Sequence, residues 1–258
     1  MNQRLPISVY IIAYNEADRI GVAINSVKDW VDEVIVVDSG SSDDTVSVST
    51  FLGAKVVVNE WPGYGFQKDF AQAQCTNDWV LSLDADEEVP HNLAAEIRAL
   101  FAKGTPAHVG YILRIRDLLP GEKKLAPLAH TDFRLRLYDR RRGKHRQDSV
   151  LDGVMMDEGA TTVMLNAPLL HRSYRSLEHA IAKMNGFTQA QAVNLQHKNF
   201  ACPKLRLVLE FPFAFIKCYL LRGYFMRGTK GLTYALLYAF SRVARIAKYI
   251  EIRDKNAL

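Results

Sequence analysis

Two aspartates at the end of an apolar run are the first residues of this chain that could do chemistry. The run WVLSLD, residues 79–84, leads directly into Asp84-Ala85-Asp86. Alternation along a strand sends Asp84 and Asp86 to the same side, so we expect both carboxylates to reach one cation. Mg²⁺ and Mn²⁺ prefer such oxygen ligands and usually complete their coordination with substrate phosphates. The same residues are also typical of a solvated acidic turn, which Glu87 and Glu88 would extend.

Polar residues also follow two earlier apolar runs. Asn15 and Glu16 come after the run at residues 7–14, and Asp38 ends the run at residues 34–38. A carboxylate at that position can accept a hydrogen bond from a base N–H or a ribose hydroxyl. The glycine and serines of the segment that follows, DSGSSDDT, allow the backbone to approach a ligand closely. They suit the cap of a following helix equally well.

Alternating strands and helices must position these polar groups. Short, β-branched and nearly continuous apolar runs are typical of strands that are covered on both faces. Their alternation with helical patterns indicates βαβ units and a parallel sheet. Because ligands bind at the carboxyl ends of such strands, we expect the three polar sets at one edge of the sheet. The predicted strands are residues 7–14, 34–38, 55–58 and 79–84, and the predicted helices between them are residues 16–31, about 43–52, and 65–74.

The rest of the chain is predicted to mix strands and helices without a repeat or a flexible linker. We therefore expect one α/β domain over residues 1–200, with halves at 1–100 and 101–200, followed by helices in residues 201–258. Neither a GxGxxG nor a GxxxxGK[ST] pattern is present, which excludes dinucleotide and P-loop sites at the level of motifs. The later predicted elements are helices at 93–101, 177–196, about 204–222 and 229–253, strands at 109–116 and 133–138 with one solvated face, a basic loop at 140–146, and a short strand and turn at 149–159.

Electric charge also divides the chain near residue 200. The whole chain carries a net charge of +5, whereas residues 201–258 carry 11 Lys and Arg against 3 Asp and Glu. The first 200 residues are therefore net acidic, at −3, which excludes a uniformly basic nucleic-acid binder. The three cysteines lack metal-ligand or redox spacing, and no charged and apolar leader precedes residue 7. We therefore expect a reducing compartment and no secretory signal.

Residues 201–258 combine basic and aromatic side chains in two predicted helices. Their second apolar stretch, residues 232–240, is far shorter than the roughly 20 residues that span a bilayer. Basic, aromatic and amphipathic helices are typical of the bilayer interface, so we expect this segment to contact a membrane surface. The alternative is that the helices pack on the α/β domain and leave a basic face in solvent.

Four stretches together resemble the beginning of glycosyltransferase family 2. They are ISVYIIAYNEADRI, VIVVDSGSSDDT, GAKVVVNEWPGYGFQKDFA and DWVLSLDADEE. The chain is more narrowly similar to the lipopolysaccharide core β-glucosyltransferase branch, which PLLHRSYRSLEH and the basic aromatic tail also resemble. The resemblance implies the GT-A fold, in which a Rossmann-like nucleotide-binding half with a mostly parallel sheet is merged with an acceptor half, here followed by amphipathic helices.

The same resemblance implies an activity and a location. The enzyme would be an inverting transferase that moves a sugar, with glucose as first choice, from a UDP-sugar to a membrane-linked glycan. The acceptor would be lipid-linked or phosphorylated, such as the inner core of lipopolysaccharide. The protein would act as a peripheral protein at the cytoplasmic face of the inner membrane. Two alternatives stay open: sugar transfer to a polyprenyl phosphate, and a non-catalytic membrane-associated protein with a decayed transferase domain.

The resemblance also implies roles for the residues that match the family's motifs. The nucleotide-binding set would be Tyr14, Asn15, Glu16, Asp38, Lys68 and Asp84, with Gln67 as a polar neighbour or an exposed helix start. The set for Mg²⁺ or Mn²⁺ would be Asp84, Asp86 and His171, where His171 is alternatively a diphosphate contact or a structural residue.

The expected catalytic base departs from the family pattern. Relatives of this branch tend to carry a His-Glu pair after the basic loop, whereas this chain has Val150-Leu151-Asp152-Gly153. Asp152 is the predicted base, and Asp148 and Asp157 are its rivals. The basic loop itself could meet a phosphorylated acceptor or lie in solvent; its charged residues are Arg140, Arg141, Arg142, Lys144 and Arg146.

Overall fold

Strands and helices alternate through the first hundred residues, as the apolar runs predict. The computed structural model describes residues 4–127, 130–147, 153–197 and 203–255. The strands are β1 (Leu5–Ala13), β2 (Val31–Asp38), β3 (Lys55–Val58), β4 (Trp79–Asp84) and the short β5 (Glu87–Glu88). The helices are α1 (Ile20–Asn25), α2 (Thr45–Phe51), α3 (Tyr64–Ala73) and α4 (His91–Phe101).

The later elements depart from prediction in two places. A strand lies inside the predicted basic loop, and a ten-residue strand that was not predicted ends at His171. The strands are β6 (Gly110–Asp117), β7 (Thr131–Asp139), β8 (Gly143–His145), β9 (Val154–Met156) and β10 (Thr162–His171). The helices are α5 (Leu177–His197), α6 (Pro203–Ile216), a π-helical turn (Lys217–Leu221), a 3₁₀ turn (Tyr224–Arg227) and α7 (Gly228–Lys255).

One sheet carries most of the described strands. Its eight strands lie in the order β3-β2-β1-β4-β7-β6-β10-β5. Strand β1 pairs in parallel with β2 and β4, and β2 pairs in parallel with β3. Strand β7 pairs antiparallel with β4 and β6, and β10 pairs antiparallel with β5. The predicted α/β fold with a Rossmann-like parallel half is therefore confirmed, and the carboxyl ends of β1, β2 and β4 meet at one edge.

Three of the parallel strands, β1, β2 and β4, are buried on both faces, which explains their continuous apolar runs, whereas β3 at the edge of the sheet is only partly buried. Alternate residues of β1 enter opposite layers: Val9 and Ile11 belong to the larger apolar cluster, and Tyr10 belongs to the smaller one. Leu81 of β4 lies in the larger cluster and is 0% exposed. The core therefore holds the strands that end at the polar edge in a fixed register.

The chain divides into two compact units. Unit 1 comprises Met1–Arg116 and Thr131–His171, and unit 2 comprises Asp117–His130 and Arg172–Leu258. Unit 1 contains the sheet, and unit 2 contains α5, α6 and α7, of which α7 packs against both others. The division at residue 200 stays a prediction. Within the described ranges, no helix has the combination of length and apolarity that crossing a membrane requires.

Candidate active site

Hydrogen bonds join the loop after β1, which contains Asn15 and Glu16, to the loop after β2, residues 39–44; we call these two loops the rim. The backbone N–H of Asn15 donates to Ser41 Oγ at 2.8 Å, and Asn15 Oδ1 accepts from the N–H of Ser42 at 2.9 Å. The N–H of Glu16 donates to Thr45 Oγ1 at 2.8 Å. Asn15 has φ 54°, a left-handed conformation that Asn tolerates better than most residues. The structure therefore brings together the polar residues that follow β1 and those that follow β2.

Asp38 organises the loop that follows it. Its side chain is 1% exposed, and its Oδ2 accepts from the backbone N–H groups of Gly40 at 2.9 Å and Ser41 at 2.8 Å. Its Oδ1 accepts from the Ser41 hydroxyl. Tyr14, by contrast, is 59% exposed at the end of β1. The roles of Asp38 and Tyr14 in nucleotide binding stay predictions.

Gln67 ties the start of α3 to the same rim. Its side chain is 0% exposed, and its Nε2 donates to Ser39 Oγ at 3.0 Å and to the carbonyl of Asn59 at 3.1 Å. Its Oε1 accepts from Asn59 Nδ2 at 2.6 Å. The interpretation of Gln67 as an exposed helix start is therefore wrong, because its amide connects two loops in the interior.

Both carboxylate oxygens of Asp84 are engaged by cations. Lys68 of α3 is 2% exposed and places its Nζ 2.8 Å from Asp84 Oδ1. Arg136 of β7 places its Nη2 2.6 Å from Asp84 Oδ2. Burial acts to raise the pKa of Asp84, but the charges of Arg136 and Lys68 outweigh it and hold that pKa well below its usual range. Asp84 is therefore an ionised partner of two cations.

Asp86 has a different set of partners from Asp84. Strand β4 ends at Asp84 and Asp86 lies in the turn before β5, so strand alternation does not extend to Asp86. Its Oδ1 lies 3.4 Å from His171 Nε2, and its Oδ2 lies 3.6 Å from Arg19 Nη1. Arg19 in turn donates to Glu16, with Nη2 2.9 Å from Oε1. Asp86 is thus linked through Arg19 to the rim after β1.

Strand β10 brings His171 to this turn. His171 is paired in register with Glu87, and Leu170 with Glu88, in the antiparallel β5–β10 pair. The apolar run before His171 contains Asn166 and Pro168, which are poor strand formers, so the sequence did not predict this strand. Pairing in the sheet overrides that local preference. The only signal in the sequence for His171 was its match to the family motif.

Arg136 and Glu87 are site residues that the sequence reasoning missed. Their side chains are 6% and 1% exposed, and Arg136 Nη2 lies 2.6 Å from Glu87 Oε1. Glu87 Oε2 also accepts from the backbone N–H of Asp84 at 2.9 Å. Burial raises the pKa of Glu87 to about 7, against the opposing effect of Arg136. The prediction of one solvated face for residues 133–138 is wrong at Arg136, because this side chain turns inward to two carboxylates.

Asp86 and His171 are the residues that could hold a divalent cation. No group of three or more His, Cys, Asp or Glu side chains in the described ranges has an arrangement suited to a metal. Mg²⁺ is nevertheless usually bound through one or two protein carboxylates, and the substrate's phosphates and water supply the remaining ligands. The Asp86 carboxylate fits an ion of this kind, which prefers oxygen ligands, and the neutral imidazole of His171 that faces it is a common metal ligand.

The predicted base lies outside the described residues. Asp152 and its rival Asp148 both fall in residues 148–152, between β8 and β9.

Strands β8 and β9 pair antiparallel, and the N–H of Arg146 donates to the carbonyl of Gly153 at 2.9 Å. A Cβ on Gly143 would lie 2.6 Å from Met156 Sδ, so glycine permits the close pairing that the prediction of a loop overlooked.

Two arginines of the predicted basic loop are paired with carboxylates. Arg141 Nη1 lies 2.9 Å from Asp78 Oδ2, and Arg141 Nη2 lies 2.6 Å from Asp139 Oδ2. Arg142 Nε lies 2.9 Å from Asp157 Oδ2, and both of these side chains are exposed. Asp157, a rival for the base, therefore forms a surface ion pair.

Comparisons with known proteins agree with the family resemblance. The model described as "Glycosyl transferase family 2" matches residues 8–191. A Rickettsia felis protein named "Uncharacterized glycosyltransferase" is 37% identical, over 98% of this chain and 93% of its own length. The "Lipopolysaccharide core biosynthesis glycosyltransferase LpsC" of Rhizobium meliloti is 30% identical, over 95% of this chain and 93% of its own length.

Among solved structures, the chain is similar to glucosyl-3-phosphoglycerate synthase from Mycobacterium tuberculosis, crystallised with Mn²⁺, uridine diphosphate and glucosyl-3-phosphoglycerate. The identity is 22%, the TM-score is 0.40, and the match covers 67% of this chain and 73% of the other. The family assignment does not depend on this likeness. It rests on the family match, which spans well over half of the chain, and on the full-length relatives. The chain belongs to glycosyltransferase family 2 and is a glycosyltransferase.

Proposed function

We propose that this glycosyltransferase moves a sugar, with glucose as first choice, from a UDP-sugar to a hydroxyl of the lipopolysaccharide inner core. The observation that carries the proposal is the pair Asp86 and His171, with Oδ1 and Nε2 3.4 Å apart, at the carboxyl edge of the parallel strands. The name of the relative LpsC supports the acceptor, because it refers to lipopolysaccharide core biosynthesis. Transfer to a polyprenyl phosphate is the alternative that an acceptor screen must test.

The residues of the rim would bind the nucleotide of the donor. In this proposal Tyr14, exposed beside the rim, contacts the nucleoside, and Asn15, Glu16 and Asp38 shape its pocket. Lys68 is held at the polar edge by its ion pair with Asp84 and supplies positive charge toward the diphosphate. A preorganised cation at that position stabilises negative charge that grows on a leaving group.

Asp86 and His171 are the proposed protein ligands of Mg²⁺ or Mn²⁺. Such an ion supplies Lewis-acid chemistry, since it offsets the charge on the departing diphosphate. Both strand alternation and the family resemblance predict Asp84 as a third ligand. Because Lys68 and Arg136 engage both of its oxygens, we propose instead that it fixes these two cations. Asp86 is then the carboxylate that faces the imidazole of His171 in the proposed metal site.

Asp152 is the proposed catalytic base. It would take the proton from the acceptor hydroxyl while that oxygen attacks the anomeric carbon from the face opposite to the diphosphate. The bond to the acceptor forms as the bond to the diphosphate breaks, so one displacement inverts the configuration. An α-linked donor then gives a β-linked product, and no covalent enzyme intermediate is required.

Donor specificity tests the proposal directly. Purified protein is incubated with UDP-glucose, UDP-galactose, GDP-mannose or no donor, each with Mn²⁺, Mg²⁺ or a chelator, and release of nucleoside diphosphate is measured. We expect release from a UDP-sugar only when a divalent cation is present. Equal rates in the chelator would contradict the metal site, and a preference for GDP-mannose would contradict the uridine donor. Parallel reactions with core oligosaccharide and polyprenyl phosphate identify the acceptor.

A stripe of exposed apolar side chains supports the proposed contact with a membrane. It runs along α6 and the π-helical turn, and each member lies one to four residues after the previous one. We call it the apolar stripe, and its residues are exposed by 51–79%: Leu205, Val208, Leu209, Phe213, Ile216, Leu220 and Leu221. Exposed Lys204, Arg206 and Lys217 lie on the same segment, and their charge is complementary to anionic lipid. We therefore propose that the helix lies in the cytoplasmic interface of the inner membrane.

Glutamate in the apolar stripe is expected to weaken binding to vesicles. Fully burying a Phe or Ile side chain is worth about 1.5–3 kcal/mol, so Phe213→Glu with Ile216→Glu is expected to lower the partition coefficient at least about tenfold. The measurement is co-sedimentation with phosphatidylglycerol-containing vesicles. Phe51→Glu is the matched control, because Phe51 is 89% exposed on α2. Unchanged binding, or a wild-type dimer that the double variant dissociates, would contradict membrane insertion by this stripe.

A further inference from the structure

A buried ion pair brackets the turn that carries Asp86. Arg136 Nη2 lies 2.6 Å from Asp84 Oδ2 on one side of the turn and 2.6 Å from Glu87 Oε1 on the other. The second oxygen of Glu87 accepts the backbone N–H of Asp84 at 2.9 Å. We infer that this Arg136–Glu87 clamp is a positioning device that sets Asp86 opposite His171 for the donor diphosphate and its cation. The inference rests on the proposed function.

A bulge explains how Arg136 reaches this position. In the β6–β7 pair, Tyr111 is opposite Leu137 but the next residue, Ile112, is opposite Leu135, so that Arg136 is left out of the register. A bulge of this kind redirects a side chain and is common beside active sites. Arg134, two residues earlier on the same strand, is exposed. Two arginines on one strand therefore differ in environment, and only one of them contacts the turn.

The clamp acts on both proposed metal ligands. Glu87 is paired in register with His171, and Asp86 is its neighbour in the chain. The hydrogen bond from the backbone N–H of Asp84 to the Glu87 side chain closes the turn, and Arg136 contacts the side chains of the same two residues. Without the guanidinium, the buried carboxyl group of Glu87 would face Asp84 with no cation between them, while Lys68 would still pair with Asp84. Removal of one partner from a buried ion network leaves such groups uncompensated and is strongly destabilising locally.

Binding of UDP with Mn²⁺ provides the first test. Arg136→Met keeps much of the side-chain volume but removes the charge and the donors. We expect its affinity for the Mn²⁺·UDP pair, measured by isothermal titration calorimetry, to fall by about 10–100-fold, the usual cost of losing a group that orients metal ligands. Arg136→Lys should recover part of this loss, because it restores the charge but not the planar fork that bridges two carboxylates. Arg134→Met should bind like the wild type.

Hydrogen exchange provides a second test that needs no ligand. In Arg136→Met without UDP or metal, the amide of Asp84 should exchange faster, because its acceptor Glu87 is no longer held. Leu93→Ala is the control for general destabilisation, since Leu93 is 0% exposed in the core and belongs to α4, and is neither a clamp residue nor a proposed ligand. It should lower the melting temperature without weakening Mn²⁺·UDP binding.

The two readouts separate failure of the clamp from failure of the proposed function. A folded Arg136→Met with wild-type affinity and wild-type exchange would overturn the clamp. If Arg136→Met does not fold, Arg136→Lys decides: weaker binding with faster exchange supports the clamp, and wild-type values for both overturn it. If the wild-type protein does not bind Mn²⁺·UDP at all, the proposed function fails, and the exchange of the Asp84 amide still tests the clamp.

Discussion

Replacing Asp86 with Ala is expected to lower kcat/KM on the order of 10²–10³-fold, the usual loss when one preorganised electrostatic group is removed from an active site. Asp86 is the carboxylate whose Oδ1 lies 3.4 Å from His171 Nε2, so its removal leaves the imidazole without its proposed co-ligand. The stimulation by Mn²⁺ should disappear together with the activity. Initial rates across a Mn²⁺ titration, for the variant and the wild type, measure both effects.

A second aspartate provides the control for this experiment. Asp78 precedes β4 at the end opposite to Asp84, and its side chain is 53% exposed in a surface pair with Arg141. Asp78→Ala removes an equal charge from the same unit, and we expect near-normal rates because exposed ion pairs contribute little. An Asp86→Ala enzyme that transfers sugar at the wild-type rate in the presence of a chelator would contradict the assignment of Asp86 to the metal.

Replacing Asp152 with Asn is expected to lower kcat by about 10²–10⁴-fold, the range for loss of general-base assistance. The amide keeps the size of the side chain but cannot take a proton from the acceptor hydroxyl at neutral pH. Donor binding should persist, because the rim and Lys68 are unchanged. Transfer assays give kcat, and calorimetry with Mn²⁺·UDP gives the affinity, so the two effects are measured separately.

The rival aspartates serve as comparisons for Asp152. Asp157 forms an exposed ion pair with Arg142 at 2.9 Å, and Asp157→Asn should leave turnover near the wild-type value. Asp148→Asn tests the other rival within residues 148–152. If Asp152→Asn retains turnover while Asp148→Asn loses it, the base is Asp148. If both variants turn over normally, the base is neither Asp148 nor Asp152.

Elements that depend on local patterns were predicted well from the sequence. The four parallel strands were recognised because each is a short apolar run, and the core buries three of them, β1, β2 and β4, on both faces. The first two polar sets, at Asn15 and Asp38, meet because parallel strands of βαβ units end at one edge. These inferences needed only the period of the apolar residues and the residues that follow each run.

Elements that depend on distant partners could not be predicted in the same way. The strand that carries His171 has a poor local pattern and exists because it pairs within the sheet. The bulge at Arg136 shifts the alternation of inward and outward side chains along β7 by one residue, and no pattern within residues 133–138 predicts this shift. Gln67 resembles a surface residue at a helix start, yet its amide bonds two loops in the interior.

By itself, the sequence determined the family, the parallel half of the sheet and the acidic turn at its edge. The tertiary structure alone decided the partners of each carboxylate: Lys68 and Arg136 for Asp84, and His171 and Arg19 for Asp86. The physical reason is that spacing along a chain sets where a charged side chain emerges, whereas its ionisation and availability depend on opposite charges that other strands and helices bring within about 3–4 Å.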